Sequence, residues 1–377
     1  MDDRTIFIDV TSALKQSAGI GRYTRGLITG LLRTHVELPI HLLATRDAPP
    51  PPASWQFPFH RLPLNERAAV ILWQRLNIPV PVEWLIGKGR VYHSPDFVLP
   101  PLRQMAGIVT VHDLSFIVYP QYAVPGLEFY LRKAVPRAVK RARVVLADSQ
   151  NTKADLVRFW NTPPDKIHVL YPGLDPAFRP IRDEEHLHRV RTRYSLPDRF
   201  ILSVSRLEPR KNFVGLIHAF ERFKARTSYP HHLVIAGGKG WKYEPIFQAA
   251  AASPFREAIH FLGFVDDEDL PALYTLADVF AYPTFYEGFG FPPLEAMACG
   301  TPVLSSDNSS LPEVVEDGGI LLPANDVDAW ADALQQVLSD GALRSRLIEK
   351  GYTQSAKFTW EKSAQHLVRI YRTLMAD

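Results

Sequence analysis

Short apolar runs rich in β-branched residues alternate with amphipathic helical stretches along most of the chain. Several runs are almost continuously apolar, which is typical of parallel strands covered by helices on both faces. The predicted strands are "TIFIDV", "PIHLLAT", "RVYHS", "GIVTVHD", "RVVLADS" and "IHVLY" in the first half, and "RFILSVS", "HHLVIAGG", "IHFLGFV", "VFAYP" and "TPVLSS" in the second. The alternation predicts an α/β fold of parallel sheets with crossover helices, repeated twice.

A turn-rich segment, "YPGLDPAFRP" at 171–180, separates the two sets of strands. The length of 377 residues also favours two domains. We expect a first domain over 1–175 and a second over 176–356, followed by an amphipathic helix over about 357–377. Two doubly wound, Rossmann-like domains facing across a cleft would bind ligands at the carboxyl ends of their strands.

The composition is that of an ordinary globular protein, with 46% hydrophobic and 22% charged residues. No apolar run is long enough to span a bilayer, and "MDDRTIFIDV" does not have the pattern of a signal peptide. The single cysteine, Cys299, cannot form an internal disulfide. These features predict a cytoplasmic protein.

Charge is distributed unevenly along the chain. Residues 1–180 contain 22 Lys/Arg and 14 Asp/Glu, a net +8, and the remainder contains 21 and 26, a net −5. The first half is therefore expected to meet something anionic.

One basic segment, "EFYLRKAVPRAVKRARVVLADS", predicts a helix over 130–143 that Pro136 would kink or restart. Apolar residues form one face of this helix, and a second face carries Lys133, Arg137, Lys140 and Arg141. One interpretation is peripheral contact with the anionic inner face of the membrane. The other is a solvated basic face on a helix that packs against the sheet. Nucleic acid is disfavoured because stacking aromatics are not interleaved with the basic residues.

Three stretches after predicted strands could contact a ligand. Gly19 and Gly21 lie between the first strand and an amphipathic helix, where glycines allow close approach of an anion or simply make a turn. "VSRLEPRKNF" carries Arg206 and Lys211, which would suit a diphosphate, or would form a solvated loop. His112 ends an apolar strand and is either a ligand contact or a structural residue.

The stretch "YPTFYEGFGFPPLEAMACG" has two glutamates eight residues apart, Glu287 and Glu295. "VFAYP" is a predicted strand and "PPLEAMAC" a predicted helix that begins at Pro292 or Pro293. Glu295 would then lie in the first helical turn, where a carboxylate also favours the helix dipole. The dipole does not account for Glu287. A second glycine turn, with Gly237, follows the strand "HHLVIAGG".

Taken together, these motifs resemble those of family 4 retaining glycosyltransferases of the GT-B type. The resemblance extends through "GFVDDEDLPALYTLADVFAYPT" and "EAMACGTPVLSSDNSSLPEVV" and covers essentially the whole chain. Within this family, the motifs resemble those of mannosyltransferases of surface-polysaccharide assembly. It implies that the first domain is the acceptor side, that the second binds a nucleotide-sugar donor, and that the last helix packs back on the first domain.

The resemblance also implies roles for individual residues. Arg206 and Lys211 would neutralise the donor diphosphate, Glu287 would contact the transferred sugar, and Glu295 would hold the ribose. His112 would lie beside the sugar. The remaining donor contacts would be Gly19, Gly21 and Gly237, a nucleobase site near Phe264 and Val265, and the amides of Phe289, Gly290 and Phe291.

We expect neither a metal nor another cofactor. Asp267 and Asp269 imitate a metal-binding pair, but they open a helix, where negative charge is favourable by itself. GDP-mannose is the favoured donor and a UDP-hexose the alternative; the acceptor would be a saccharide or a lipid-linked saccharide. Competing hypotheses are an epimerase or phosphorylase of the same fold, and a sugar-nucleotide-binding regulator.

Overall fold

The computed structural model describes residues 3–17 and 19–376. Met1, Asp2, Ala18 and Asp377 belong to the predicted first domain and last helix but lie outside the described residues. The chain divides into two compact units, Met1–Gly173 with Phe358–Asp377, and Leu174–Lys357. We call them the first and the second unit. The roles of acceptor side and donor side stay predictions.

The first unit contains a seven-stranded parallel sheet in the order β3-β2-β1-β4-β5-β6-β7. Its strands are β1 (Ile6–Asp9), β2 (Ile40–Ala44), β3 (Phe59–Arg61), β4 (Val91–Ser94), β5 (Ala106–Val111), β6 (Val144–Ala147) and β7 (Ile167–Val169). The six predicted strands are confirmed, and the short edge strand β3 was missed. It has three residues, none of them buried, so it lacks the apolar run that marks the others.

The second unit contains a six-stranded parallel sheet in the order β10-β9-β8-β11-β12-β13. Its strands are β8 (Phe200–Val204), β9 (His232–Ala236), β10 (Ile259–Gly263), β11 (Val279–Tyr282), β12 (Val303–Ser306) and β13 (Gly319–Leu322). The five predicted strands are present, and β13 was missed. The α/β prediction with two Rossmann-like sheets is confirmed.

Helices connect the strands on both faces of each sheet. In the first unit they are α1 (Thr11–Lys15), α2 (Ile20–Arg33), α3 (Glu66–Ala69), α4 (Glu83–Ile86), α5 (Ser115–Val118), α6 (Pro125–Arg141), α7 (Gln150–Trp160) and the last helix, α16 (Trp360–Ala376). In the second unit they are α8 (Glu184–Arg193), α9 (Phe213–Arg226), α10 (Glu244–Ala252), α11 (Leu270–Leu276), α12 (Phe291–Ala298), α13 (Leu311–Val315), α14 (Val327–Ser339) and α15 (Gly341–Ser355). A π-helical turn, Val70–Arg75, follows α3, and 3-10 helices span Pro120–Tyr122, Pro164–Lys166, Pro209–Lys211, Arg256–Ala258 and Glu316–Gly318.

The strand order creates the same feature in both sheets. β1 lies beside β4, and β8 lies beside β11, and the chain winds outward in opposite directions from each pair. At such a switch point the connections leave in opposite directions and open a crevice at the carboxyl ends of the strands. The residues that follow these four strands are therefore the first candidates for ligand contact.

The last helix packs within the first unit. The indole of Trp360 lies so close to α2 that a Cβ at Gly26 would come within 2.0 Å of it, so glycine is required there. Further along α16, the Tyr371 hydroxyl lies 2.7 Å from His93 Nδ1, and Arg90 donates to the Leu374 carbonyl.

The basic helix α6 continues through Pro136 rather than restarting there. Its predicted apolar face is buried except for half-buried Leu131, and Lys133, Arg137 and Lys140 are exposed. Arg141 differs from the prediction because it is half-buried and donates to the Leu99 carbonyl at 2.5 Å. Over 3–17 and 19–376, no helix combines the length and apolarity needed to cross a bilayer.

Candidate active site

Two loops at the switch point of the second unit carry most of the predicted chemistry. After β8 the chain passes through the 3-10 helix Pro209–Lys211 into α9. After β11 it passes through the loop that carries Glu287 into α12. Because β8 and β11 are parallel neighbours, both loops leave the same edge of the sheet, which brings residues far apart in sequence together.

Lys211 and Glu287 are in direct contact. The Lys211 ammonium lies 2.5 Å from Glu287 Oε1, and the hydroxyls of Tyr282 and Thr284 donate to the same oxygen at 3.0 and 2.9 Å. Arg210 lies 3.2 Å from the other carboxylate oxygen. We call these five residues the Lys211 cluster. Lys211, Tyr282, Thr284 and Glu287 are buried, so their contacts are not shared with bulk water.

The two positive charges in the Lys211 cluster are balanced by the carboxylates of Glu287 and of neighbouring Glu208. Burial alone would raise the pKa of Glu287, but the charges of Lys211 and then Arg210 outweigh burial and lower this pKa to about 2. Burial, followed by the charge of Arg210, lowers the pKa of Lys211. Buried Glu208 pairs with Arg210 at 2.9 Å. The ammonium of Lys211 has three donors, and its described contacts, with Glu287 and the Tyr282 hydroxyl, use two of them.

Arg210 was not among the site residues predicted from the sequence. Arg206, unlike Lys211, does not contact the Glu287 carboxylate. Arg210 could have been noticed because it precedes Lys211 in "EPRKN", and one 3-10 turn brings both side chains to the same carboxylate. Arg206 is exposed, its stem lies over Gly240, and it makes no ion pair with any described residue. The structure therefore assigns Lys211, but not Arg206, to the cluster; a diphosphate role for Arg206 stays a prediction.

Glu295 lies one or two residues further into α12 than expected, just past the first turn, because the helix begins at Phe291 rather than at Pro292 or Pro293. Glu295 is only 1% exposed and accepts a hydrogen bond from the Tyr274 hydroxyl at 3.0 Å. The carboxylate of Glu295 is thus buried, on a helix whose other side chains are largely hydrophobic. Its proposed contact with ribose stays a prediction.

The predicted glycines lie where the backbone packs closely against another segment or adopts a positive φ angle. Gly19 caps α2 with φ +54°, and a Cβ at Gly21 would lie 2.0 Å from the Gln16 carbonyl. At Gly237 the same change would bring the Cβ to 1.9 Å from the Ser205 carbonyl. Gly290 has φ +120° immediately before α12, a conformation that L side chains rarely adopt.

The residues predicted to contact the nucleobase and the sugar differ in solvent exposure. Phe264 is 66% exposed after β10, whereas the neighbouring Val265 is buried. Phe289 is buried, its carbonyl accepts from the Ser310 hydroxyl at 2.6 Å, and its ring contacts Phe291. Of these residues, Phe264 presents the most surface on which a nucleobase could stack.

His112 belongs to the first unit, and both of its ring nitrogens are engaged there. Nδ1 lies 2.7 Å from Asp148, and Nε2 lies 2.9 Å from the Pro95 carbonyl. Both partners are acceptors, so both nitrogens must carry protons. Burial disfavours this charge, but Asp148 outweighs burial and raises the pKa of His112 to about 9. A sugar contact of the His112 side chain stays a prediction.

The acidic stretch that imitates a metal motif is engaged in ion pairs. Arg193 lies 2.7 Å from Asp269 and 2.6 Å from Asp266. In the described part of the chain no group of three or more His, Cys, Asp or Glu side chains could hold a metal ion.

Two Rossmann-like sheets, and a buried lysine–glutamate cluster at the switch point of one of them, fit the GT-B architecture that the sequence predicted. Family models described as "Glycosyl transferases group 1" and "Glycosyltransferase Family 4" match residues 187–354 and 17–178. The chain is 35% identical to the O-antigen chain mannosyltransferase B of Escherichia coli, with 82% of each protein covered. The chain belongs to the family 4 glycosyltransferases and is a glycosyltransferase.

Other relatives share part of the chain or only its fold. The serotype-specific mannosyltransferase WbdA of Escherichia coli is 34% identical over 66% of this chain and 31% of its own length. Sucrose-phosphate synthase from Thermosynechococcus elongatus has a TM-score of 0.77 at 21% identity, covering 99% of both chains. HepE from Anabaena, solved with UDP and glucose, has a TM-score of 0.75 at 18% identity, covering 98% of this chain and 100% of its own. At these low identities, the similarity to the two structures shows that this chain has the GT-B fold and nothing further.

Proposed function

We propose that this enzyme transfers a hexose, with mannose from GDP-mannose favoured, to a saccharide or lipid-linked saccharide, with retention at the anomeric carbon and without a metal. The names of the mannosyltransferase relatives support mannose. Retention is a family expectation. A UDP-hexose is the alternative donor. The structural neighbour HepE, which was solved with UDP and glucose, supports this alternative.

One observation carries the proposal, the buried Lys211 ammonium at the switch point with one donor left over. Cleavage of a sugar–phosphate bond leaves negative charge on the diphosphate, and preorganised donors aimed at developing charge are usually the largest contribution to catalysis. Glu287 and Tyr282 hold Lys211 in place before the ligand arrives, so little reorganisation is needed. Arg206 and Arg210 are the additional cations of the same loop.

Glu287 is proposed to contact the transferred sugar while it balances the charges of Lys211 and Arg210. Oε1 already accepts from three groups and Oε2 faces Arg210. A sugar hydroxyl would therefore share Oε2 with Arg210. This arrangement favours a role in holding charge and donor over a role as nucleophile.

The test is a thermal-shift panel with GDP-, UDP-, ADP- and dTDP-sugars, because a true donor stabilises the folded state by mass action. We expect the largest rise in Tm with GDP-mannose. Product analysis then separates the alternatives. Turnover of the donor with water or phosphate as efficiently as with a saccharide would indicate an epimerase or phosphorylase. Binding without turnover on any acceptor tried would indicate a regulator.

We also propose that α6 contacts an anionic membrane surface. Its exposed face combines the cations Lys133, Arg137 and Lys140 with one apolar residue, Phe129 (62% exposed). The Lys133 ammonium lies 4.0 Å from the centre of the Phe129 ring. Basic residues near an anionic bilayer contribute about 1 kcal/mol each, and apolar side chains beside them can enter the interface.

Co-sedimentation with vesicles of anionic and zwitterionic lipid tests this contact. Binding should require the anionic lipid and weaken with salt. Lys133→Glu with Lys140→Glu should abolish it, whereas Arg256→Glu, an exposed charge reversal in the second unit, should not. Equal binding by all variants, or binding that salt leaves unchanged, would contradict the proposal.

A further inference from the structure

A small cavity of about 180 Å³ lies between the edge strand β7 and the last helix, α16. We call it the α16 cavity; it is lined by Val144, His168, His366, Arg369, Ile370, Thr373 and Leu374. Val144 is the first residue of β6, so the cavity lies away from the carboxyl ends of the strands, where the switch point is. Its lining residues all belong to the first unit, and none is part of the Lys211 cluster or a predicted donor contact.

Two histidines from different elements form the walls of the α16 cavity. The ring of His168, from β7, meets the ring of His366, from α16, edge to face with the centroids 6.3 Å apart. Both side chains are half-buried. Within the described part of the chain, neither ring makes a hydrogen bond. Polar groups that have lost water without gaining a partner are costly, and a ligand that pairs with them recovers that free energy.

The charged groups around the two rings are positive. Arg369 lines the same cavity, is exposed, and makes no ion pair with a described carboxylate. Lys153, held by its hydrogen bond to the Ile167 carbonyl at 2.9 Å, acts on the ring of His168. Burial and then Lys153 lower the pKa of His168, and burial followed by Arg369 and His168 lowers the pKa of His366. Among the described lining residues none is a carboxylate, so this positive potential is not offset inside the cavity.

The unpaired rings and the positive potential together select the class of ligand. Two imidazoles could ligate a metal ion, but Arg369 and Lys153 would repel it without a lining carboxylate to neutralise them. An anion instead satisfies both features, because a guanidinium pairs with phosphate oxygens in bidentate fashion and a neutral imidazole supplies one N–H donor, or two when protonated. The volume is below the roughly 300–1,000 Å³ of typical organic-ligand sites, so it suits a small tetrahedral group rather than a nucleotide.

We propose that the α16 cavity binds a phosphate group, with the guanidinium of Arg369 and the imidazoles of His168 and His366 as its donors. A bound anion offsets the positive neighbours and raises the pKa of both histidines, so the affinity should increase as pH falls. The group could belong to a soluble phosphate or to a lipid headgroup, because α6 ends at Arg141, shortly before Val144. This inference does not rest on the proposed function.

NMR of the histidine ring Cε1–H groups tests the inference at the cavity itself, separately from any anion bound by the Lys211 cluster. The probes are inorganic phosphate and sulfate, each compared with chloride at the same ionic strength; sulfate keeps its charge over the pH range used. The variants His168→Gln and His366→Gln assign the two signals. We expect sulfate to shift both signals saturably, with an affinity roughly tenfold higher at about pH 5.5 than at about pH 8, as a rise of one pKa unit would give.

Substitution of the arginine separates a ligand contact from a structural role. Arg369→Gln should weaken sulfate and phosphate by about tenfold or more, through loss of charge-assisted hydrogen bonds. The matched control Arg372→Gln, an exposed arginine of the same helix outside the cavity lining, should bind like the wild type. Because Arg369 is exposed and makes no ion pair with a described carboxylate, Arg369→Gln should keep the wild-type Tm in chloride.

Four results would overturn the inference. They are the absence of saturable shifts at His168 and His366 at the acid pH, an affinity for sulfate that does not change with pH, equal affinities of Arg369→Gln and Arg372→Gln, and a fall in the Tm of Arg369→Gln in chloride that accompanies the loss of binding.

Two further probes identify the source of the phosphate group. Dihexanoyl phosphatidic acid is a soluble analogue of a lipid headgroup, and mannose 6-phosphate is a soluble phosphomonoester. Binding of the first about tenfold or more tightly than inorganic phosphate would assign a lipid headgroup, since buried acyl groups add affinity. Otherwise the ligand is a soluble phosphate, inorganic if mannose 6-phosphate binds more weakly than inorganic phosphate and organic if it binds equally or more tightly.

Discussion

The two switch points of this enzyme have the same topology and opposite chemistry. Between β8 and β11, buried Lys211 and half-buried Arg210 are matched by the buried carboxylates Glu208 and Glu287. Between β1 and β4, Asp9 and Asp96 line a cavity with no buried lysine or arginine among its lining residues, and the buried His112 imidazolium partly offsets the effect of burial on the pKa of Asp96. The net charge of the surrounding chain runs the other way, +8 up to residue 180 and −5 beyond it. The two sheets therefore share a topology, while a few local residues give their switch points different charges.

The net charge of each half of the chain does not report the charge of its buried residues. In the first half the excess cations include Lys133, Arg137 and Lys140, all on the exposed face of α6. Exposed cations act on a large surface such as a membrane, and salt screens them. Lys211, a buried cation that could meet a diphosphate, lies in the half with the negative net charge. Burial, rather than count, decides which charges act at short range.

The largest effect is expected from Lys211→Met. Loss of one preorganised donor to developing charge should lower kcat by roughly 100- to 1,000-fold with a smaller change in KM. Steady-state kinetics at saturating donor measures it, with Lys350→Met, an exposed lysine paired with Asp317, as the control. We expect Arg206→Ala to lower kcat as well. A rise in KM with kcat intact would show that these cations only bind the donor.

Next comes Glu287→Gln, which removes the charge that holds Lys211 and Arg210. Breaking one partner of a buried ion pair should lower the free energy of unfolding by about 3 kcal/mol, because buried Lys211 and half-buried Arg210 are then left with one carboxylate, Glu208. Turnover should also fall, since Lys211 loses its anchor. Urea denaturation and kinetics on the same preparation measure both effects.

Its control is Glu221→Gln, a surface carboxylate of α9 beside His218, for which we expect a change within about 0.5 kcal/mol. Near-normal turnover of Glu287→Gln at saturating donor would contradict the role given to Glu287. Normal stability would show that the charges of the cluster are not coupled as their distances indicate.

The sequence predicted most of the fold because apolar β-branched runs mark buried parallel strands directly. It missed β3 and β13, of which no residue is buried. At the site, Lys211 and Glu287 were recognised from their positions after strands. Arg210 and the burial of Glu295 were not, because they depend on how a 3-10 turn and the first turn of α12 are built. The carboxylate cavity could not be predicted, since Asp9 and Asp96 lie 87 positions apart and carry no motif.

The smallest effect should distinguish the two units by their response to pH. His112 in the first unit has a pKa raised to about 9, so its contribution is fully present below its unfolded pKa of about 6.5 and is lost as pH rises toward 9. Glu287 in the second unit has a pKa lowered to about 2, so its contribution is present above about 4.5 and is lost as pH falls from there toward 2. The His112 contribution is on the order of 2 kcal/mol after allowance for its coupling to Asp148.

Hydrogen exchange read segment by segment measures both limbs in one experiment. Protection of β5 and β6, which are directly followed by His112 and Asp148, should decline between pH 6.5 and 9 once the intrinsic rate change is divided out. Protection of β11 should decline between pH 4.5 and 3. In His112→Gln the alkaline decline should disappear while the acid one remains, because the two groups belong to separate units. Equal alkaline decline in both proteins would mean that the His112 imidazolium is not what stabilises the first unit at neutral pH.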